Sequence, residues 1–270
     1  MRIVSVAAEC APWCRTGGLG DVVSALPSAM APLDGVESHV TLIPLYSQAK
    51  DVINAQGREL RPSGITAHIS IRDAVYEGRW LELVGPEDWQ MYFFDCPELF
   101  SGPGLYDMGP DASLTLGHRF GSFIHAVYQS LDQLAGGPPD AVHLHDWHAA
   151  PLAALLRDHP AHVALTVHNL AYQGWFPRDE TCALAEPGDD HVSFLRMGIE
   201  AADQVTTVSP NYAREIQTEA FGCGLHDLLA ARGVSGVVNG VDPDAWDPSR
   251  DPDLAARYTA ENRSGKEACR

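Results

Sequence analysis

Positive charge is scarce in this sequence. Against 36 Asp and Glu stand only 18 Lys and Arg, a formal net charge of −18 at pH 7 over 270 residues. Such a surface repels phosphate backbones and anionic bilayers, which sets nucleic acid and membrane aside as partners. A neutral ligand, or an anion held locally by backbone amides, remains. No apolar run approaches membrane-spanning length, and a strand pattern beginning at Arg2 leaves no room for a secretory leader. The six cysteines, at 10, 14, 96, 182, 223 and 269, offer one close pair and no second pair at matching spacing. That excludes a zinc ribbon and a disulfide framework and implies reduced thiols in the cytoplasm. No Gly-x-Ser-x-Gly elbow is present, against an α/β-hydrolase.

What is there begins with glycine. Gly17, Gly18 and Gly20 in "CRTGGLGDVVSALP" join an apolar strand, Arg2–Ala8, to a stretch with helical spacing through Val22, Val23, Ala25, Leu26, Ala29 and Met30. Glycines at such a joint let backbone N–H groups approach a ligand, and the following helix N-terminus favours an anion. The spacing is neither G-x-G-x-x-G nor a P-loop, so a plain tight turn is the competing reading.

Further short, apolar segments read as buried parallel strands: Ser38–Pro44, Ala141–His145, Val163–His168, Gln204–Val208 and Ser235–Asn239. Helices are expected at Leu116–Leu134, Asp146–Arg157 and Ser193–Ala202. Ile65–Ile71, Arg79–Val84 and Gln90–Phe94 alternate like an antiparallel meander, with a turn at Glu77-Gly78. The fold class is therefore α/β: a Rossmann-like, doubly wound, mostly parallel sheet with a small antiparallel insertion.

Ligands of such sheets sit at the carboxyl ends of the strands. There this sequence places His145-Asp146-Trp147-His148, His168-Asn169, Ser209-Pro210-Asn211-Tyr212 and Asn239-Gly240. Each has a bland alternative. Asp146 could cap a helix with Trp147 in the core. His168 could be a satisfied histidine at a strand end, and Asn239-Gly240 only a turn. Zinc on His143, His145 and His148 is conceivable, but no Cys or Glu follows at ligand spacing. No metal is expected.

Six stretches taken together narrow these alternatives. "RTGGLGDVVSALP", "HLHDWHAAPLAALL", "LTVHNLAYQGWF", "VTTVSPNYAREI", "FGCGL" and "GVVNGVDPDAWDP" resemble, in order and over nearly the whole chain, the bacterial glycogen synthase and plant starch synthase family. The resemblance implies the N-terminal half of a GT-B fold, with residues 1–270 as a starch/glycogen synthase-type catalytic domain and a second nucleotide-binding domain outside this chain. It implies retaining transfer of glucose from ADP-glucose to the non-reducing end of an α-1,4-glucan, with no cofactor beyond the sugar nucleotide. By the same resemblance, Gly17 and Gly18 face the diphosphate, with Arg15 where the family has lysine and Asp21 near glucose and acceptor. His168 contacts the transferred glucose beside Asn169. Asp146 and Trp147 lie on the acceptor side, Tyr106 near the nucleotide and Asn239 at the glucan mouth. The family's Asp-Asn before the Arg-Phe of the long helix is replaced here by Thr115-Leu116. No carboxylate stands out as a covalent nucleophile, which agrees with the front-side mechanism that the resemblance implies; Asp146 and His168, expected to orient the acceptor hydroxyl, are the candidate catalytic residues.

Two other classes remain. A glucan-binding fragment without catalysis would keep aromatics such as Trp147, Trp175 and Tyr172. A sugar-nucleotide epimerase or dehydrogenase fits the first strand-to-helix turn but not the later stretches.

Overall fold

The chain starts in the middle of its sheet. The computed structural model describes residues 1–85, 89–110, 112–184, 188–242 and 246–270. In chain order the large sheet contains β1 (Arg2–Val6), β2 (Ser38–Pro44), β3 (Glu59–Ile71), β4 (Ala74–Val84), β5 (Gln90–Asp95), β6 (Ala141–His145) and β7 (His162–Val167). β8 (Trp175–Pro177) and β9 (His191–Ser193) form a separate antiparallel pair, and β10 (Gln204–Thr207) and β11 (Val234–Gly236) complete the large sheet. Helices α1 (Gly18–Met30), α2 (Ser47–Ala55), α3 (Pro97–Phe100) and α4 (Leu116–Leu134) lie in the first half of the chain. They are followed by α5 (Asp146–Ala149), α6 (Leu152–Leu155), α7 (Phe194–Ala201), α8 (Pro210–Glu215) and α9 (His226–Arg232).

The spatial order is β11-β10-β7-β6-β1-β2-β5-β4-β3. From β5 to β11 all neighbours are parallel, and only β4 and β3 run antiparallel at one edge. The chain leaves β1 toward β2 and β5, then returns through α4 to β6 on the other side of β1. This reversal makes the crevice between the carboxyl ends of β1 and β6 the topological switch point, where open α/β sheets hold ligands. The central strands are apolar because helices cover them: Val4, Val6, Leu42, Ile43, Val142, Leu144, Leu165 and Val167 are fully buried.

Several expected boundaries move, each for a local reason. The expected antiparallel insertion forms the edge of the main sheet, since β5 pairs with β2 as well as β4. Its hairpin turns at Arg72-Asp73, where Ile71 pairs with Ala74, not at Glu77-Gly78. Gly78 is instead mid-strand, and a Cβ there would meet the Phe94 ring at 2.1 Å. The glycine marks a ring packed against bare backbone. The helix expected over 146–157 breaks into α5 and α6, because Pro151 has no N–H to continue the ladder. The last strand ends at Gly236 rather than Asn239. In α4, Thr115 is the N-cap and its N–H donates to His118 Nδ1 at 3.2 Å, which fixes where the helix starts.

Met1–Val238 form one compact unit and Asn239–Arg270 another. Within the second, Arg250 pairs with Asp247 and the Lys266 ammonium lies over the Tyr258 ring. Of "GVVNGVDPDAWDP", residues 243–245 lie outside the described residues. Among the described residues no helix is long and apolar enough to cross a membrane.

Candidate active site

The loop that follows β1 is held from beneath. Glu9, buried at the strand end, accepts from the Thr16 N–H (2.6 Å), the Thr16 hydroxyl (2.8 Å) and the Tyr106 hydroxyl (2.5 Å). Cys10 and Cys14 exchange both backbone hydrogen bonds, at 2.9 and 3.0 Å, and the Ala11 N–H donates to Gly20 O. Burial, reinforced by Tyr46 and Glu9, drives the Tyr106 hydroxyl far up, so Tyr106 stays a donor. On this base residues 15–18 are exposed.

The three glycines have different reasons to be glycine. None adopts a positive φ. A Cβ on Gly20 would meet Arg15 Cβ at 2.7 Å, so the protein's own packing requires that glycine. A Cβ on Gly17 or Gly18 would meet nothing within 4 Å. No contact among the described residues asks for glycine at these two, which stand at the start of α1, where no described side chain caps the helix. Free amides and an open approach make an anion cradle, with Asp21 in the first turn and the Arg15 guanidinium beside it at 2.5 Å.

The corner after β6 is built differently. Asp146 has φ +56, rare outside glycine. This conformation sends its carboxylate across to β7, where Oδ1 accepts from the His168 N–H (2.7 Å) and the Asn169 N–H (3.3 Å). Burial raises the Asp146 carboxyl to about 7 despite the two amides that favour its charge, so it can hold or release a proton near neutrality. The His168 ring meets His145 at 3.0 Å, and burial holds His168 down at about 4. His143 bonds the Thr166 hydroxyl at 2.7 Å, which bonds that of Thr206. On β2, His39 bonds Ser5 of β1 at 2.8 Å.

Behind the corner lies an aromatic block. Trp147 is 7% exposed and meets Phe120 edge-on at 4.9 Å. Gly174, at φ +61, leaves it room: a Cβ there would stand 2.5 Å from the indole. His148 is stacked on Tyr106 at 5.1 Å, and neither of its ring nitrogens has a partner among the described residues. Arg119, fully buried, donates to the carbonyls of Leu99 (2.7 Å), Gly104 (2.9 Å) and Leu105 (2.7 Å), fixing the loop that presents Tyr106.

Two groups therefore face each other across the switch point. Arg15, Gly17, Gly18, Asp21 and Tyr106 belong to the loop side, and Asp146, His168 and Asn169 to the corner, with Trp147 buried behind it. Asn239 is exposed and opens the unit Asn239–Arg270. Sequence reasoning missed Glu9, and it named Arg119 and His145 without the partners that hold them, the carbonyls of Leu99, Gly104 and Leu105 for the one and the His168 ring for the other. Among the described residues no three His, Cys, Asp or Glu stand together as a metal site would need; the imidazoles of His143 and His145 are bonded to Thr166 and His168 instead.

The chain is similar to known proteins along its length. It is 38% identical over 291 residues to the glycogen synthase of Anaeromyxobacter dehalogenans (strain 2CP-C), covering 100% of this chain and 58% of that protein. To the glycogen synthase of Roseobacter denitrificans it is 36% identical over 290 residues, with the same coverage. The chain thus spans a little over half the length of these relatives. Among solved structures, the catalytic domain of starch synthase IV from Arabidopsis thaliana bound to ADP and acarbose superposes with a TM-score of 0.80 at 30% identity, covering 98% of this chain and 57% of that one. The family model of the starch synthase catalytic domain matches residues 2–231, and the chain belongs to that family.

Proposed function

We propose that residues 1–238 form one wall of a site that transfers glucose, with retention, from ADP-glucose to the non-reducing end of an α-1,4-glucan. One observation carries the reading: Gly17 and Gly18, open and uncapped at the start of α1, stand across the switch point from the Asp146–His168 corner. The relatives named glycogen synthase, and a structural neighbour bound to ADP and acarbose, support both ligand classes.

In this reading the amides at Gly17 and Gly18 stabilise charge on the departing diphosphate, with Arg15 adding a cation, and this is the larger demand of the reaction. Asp146, titrating near 7, and His168 orient the sugar and the acceptor hydroxyl. Asp21 and Asn169 contact sugar hydroxyls, Tyr106 borders the nucleotide, Trp147 backs the acceptor side and Asn239 meets glucan. The protein works in the cytoplasm, and a second nucleotide-binding domain of the GT-B type completes the cleft. Arg15 is the only basic side chain of residues 7–21, and Asp21 already engages it. The chain by itself therefore binds glucan weakly and turns over ADP-glucose negligibly.

The test is incorporation of labelled glucose into glycogen by the 270-residue chain, beside the same chain joined to the remaining length of a glycogen synthase relative. The joined protein transfers and the short chain does not. Robust transfer by the short chain would contradict the two-wall account, and no transfer from ADP-glucose by a well-folded joined protein would contradict the assignment.

A further inference from the structure

His168 is held twice, by two successive residues of one strand end. Asp146 fixes its backbone through the 2.7 Å bond to the N–H, and His145 fixes its ring through the 3.0 Å contact between His145 Nδ1 and His168 Nε2. His145 is completely buried, and its other nitrogen, Nε2, has no partner among the described residues. Both imidazoles are neutral at pH 7, because burial pushes each below its ordinary value and neighbouring histidines add to the effect.

A neutral pair joined by one hydrogen bond has two arrangements, which differ in where the protons sit. In the first, His145 carries its proton on Nδ1 and donates to His168 Nε2. The buried Nε2 of His145 is then a bare lone pair, and His168 carries its own proton on Nδ1. In the second, His168 donates from Nε2, and His145 must keep its proton on Nε2, a buried N–H with no acceptor. An orphaned buried donor is the rarer and costlier outcome, whereas an acceptor without a donor is better tolerated. The other nitrogen, His168 Nδ1, has no hydrogen-bond partner among the described residues and is not fully buried.

We infer that His145 is a positioning residue that locks His168 as the Nδ1–H tautomer, so that His168 meets its ligand as a hydrogen-bond donor and not as a base. The bond made by one ring nitrogen decides which proton the other presents. His168 thus contacts an oxygen that accepts, such as a sugar hydroxyl lone pair or a phosphate oxygen. Only this last step rests on the proposed function; the tautomer follows from the His145–His168 geometry.

The experiment is long-range proton–nitrogen NMR on the 270-residue chain labelled with ¹⁵N histidine at pH 7.5, with the His168 signals identified by their loss in His168→Gln. In the parent chain His168 shows a protonated Nδ1 and an unprotonated Nε2. His145→Asn places an amide donor where Nδ1 stood and keeps that pattern. His145→Ala removes the donor, and the Nδ1–H pattern is lost while the melting temperature reports whether the fold survives. A parent chain protonated on Nε2 would overturn the inference whatever the variants do, and so would an unchanged pattern in a folded His145→Ala. Failure of the proposed transferase reading would look different: no glucose transfer by the joined protein, with the tautomer pattern intact.

Discussion

The loop after β1 and the corner after β6 lie at the ends of adjacent parallel strands, yet they are built on opposite plans. The loop is exposed at residues 15–18, its Gly17 and Gly18 are open, and its fixed points are underneath, at Glu9 and the paired backbones of Cys10 and Cys14. The corner is buried and its polar groups are turned on one another: Asp146 on two amides, His145 on His168, His143 on Thr166. A site that grips a mobile, charged group needs backbone donors left open. A site that orients a neutral sugar needs few groups held in one arrangement, and burial enforces it.

The largest test of that contrast compares two glycines of one loop. Gly18→Val, in the chain joined to a relative's remaining length, should lower kcat by about 10²–10³-fold, the usual cost of losing one such donor. Its melting temperature should barely move, because a Cβ at Gly18 meets nothing within 4 Å among the described residues. Gly20→Val should do the reverse and destabilise by about 1–3 kcal/mol, since its Cβ overlaps Arg15. Equal thermal losses for both would erase the distinction.

Acid should damage the corner and spare the loop. Burial holds His39, His143 and His168 at about 4 and His148 at about 3, below the ordinary 6.5. For these groups the unfolded chain binds more protons, so their contribution is complete above 6.5 and lost as pH falls from 6.5 toward 4. Asp146 works in the opposite direction. Its carboxyl is raised to about 7 from 3.8, so it is destabilising above 7 and relieved as pH falls toward 3.8. Four histidines outweigh one carboxyl, and stability should drop by about 3 kcal/mol between pH 7.5 and 5.5. Urea unfolding at the two pH values measures it; a rise in stability on acidification would show that Asp146 dominates.

Glu9→Gln attacks the anchor beneath the loop side, which joins the glycine loop to Tyr106 and, through the Tyr106 ring, to His148 of the corner. Three donors converge on the carboxylate, and an amide presents one of them with an N–H instead of an acceptor. Thermal denaturation should show a loss of about 1–3 kcal/mol. The smallest effect belongs to Arg15→Ala. Its pair with Asp21 is exposed on both sides, so folding stability should change by about 0–1 kcal/mol. A fall in transfer without a fall in melting temperature would mark Arg15 as a ligand contact.

The two regions were not equally legible in the sequence. The apolar runs located the central strands, and three clustered glycines pointed to the loop. Which glycine served packing and which was open depended on Arg15 Cβ, a contact that spacing does not encode. Glu9 reads as one more acid in an acidic chain until Thr16 and Tyr106 are seen to converge on it. His145 and His168 stand 23 positions apart in sequence and meet only because β6 and β7 pair in register. Alternation in the antiparallel edge revealed its strands but misplaced the turn, because Gly78 yields to Phe94 in mid-strand instead of bending the chain.

The most direct measurement of the central claim is a map of where the ligand lands. Backbone amide spectra of the 270-residue chain are recorded with ADP-glucose at millimolar concentration, with NAD in parallel. The amides of Gly17, Gly18 and Leu19 should shift together with those of His168 and Asn169 in ADP-glucose, and not in NAD. Shifts in NAD alone, or shifts in ADP-glucose that leave both the loop and the corner unmoved, would contradict a glucosyl-transfer site at this switch point.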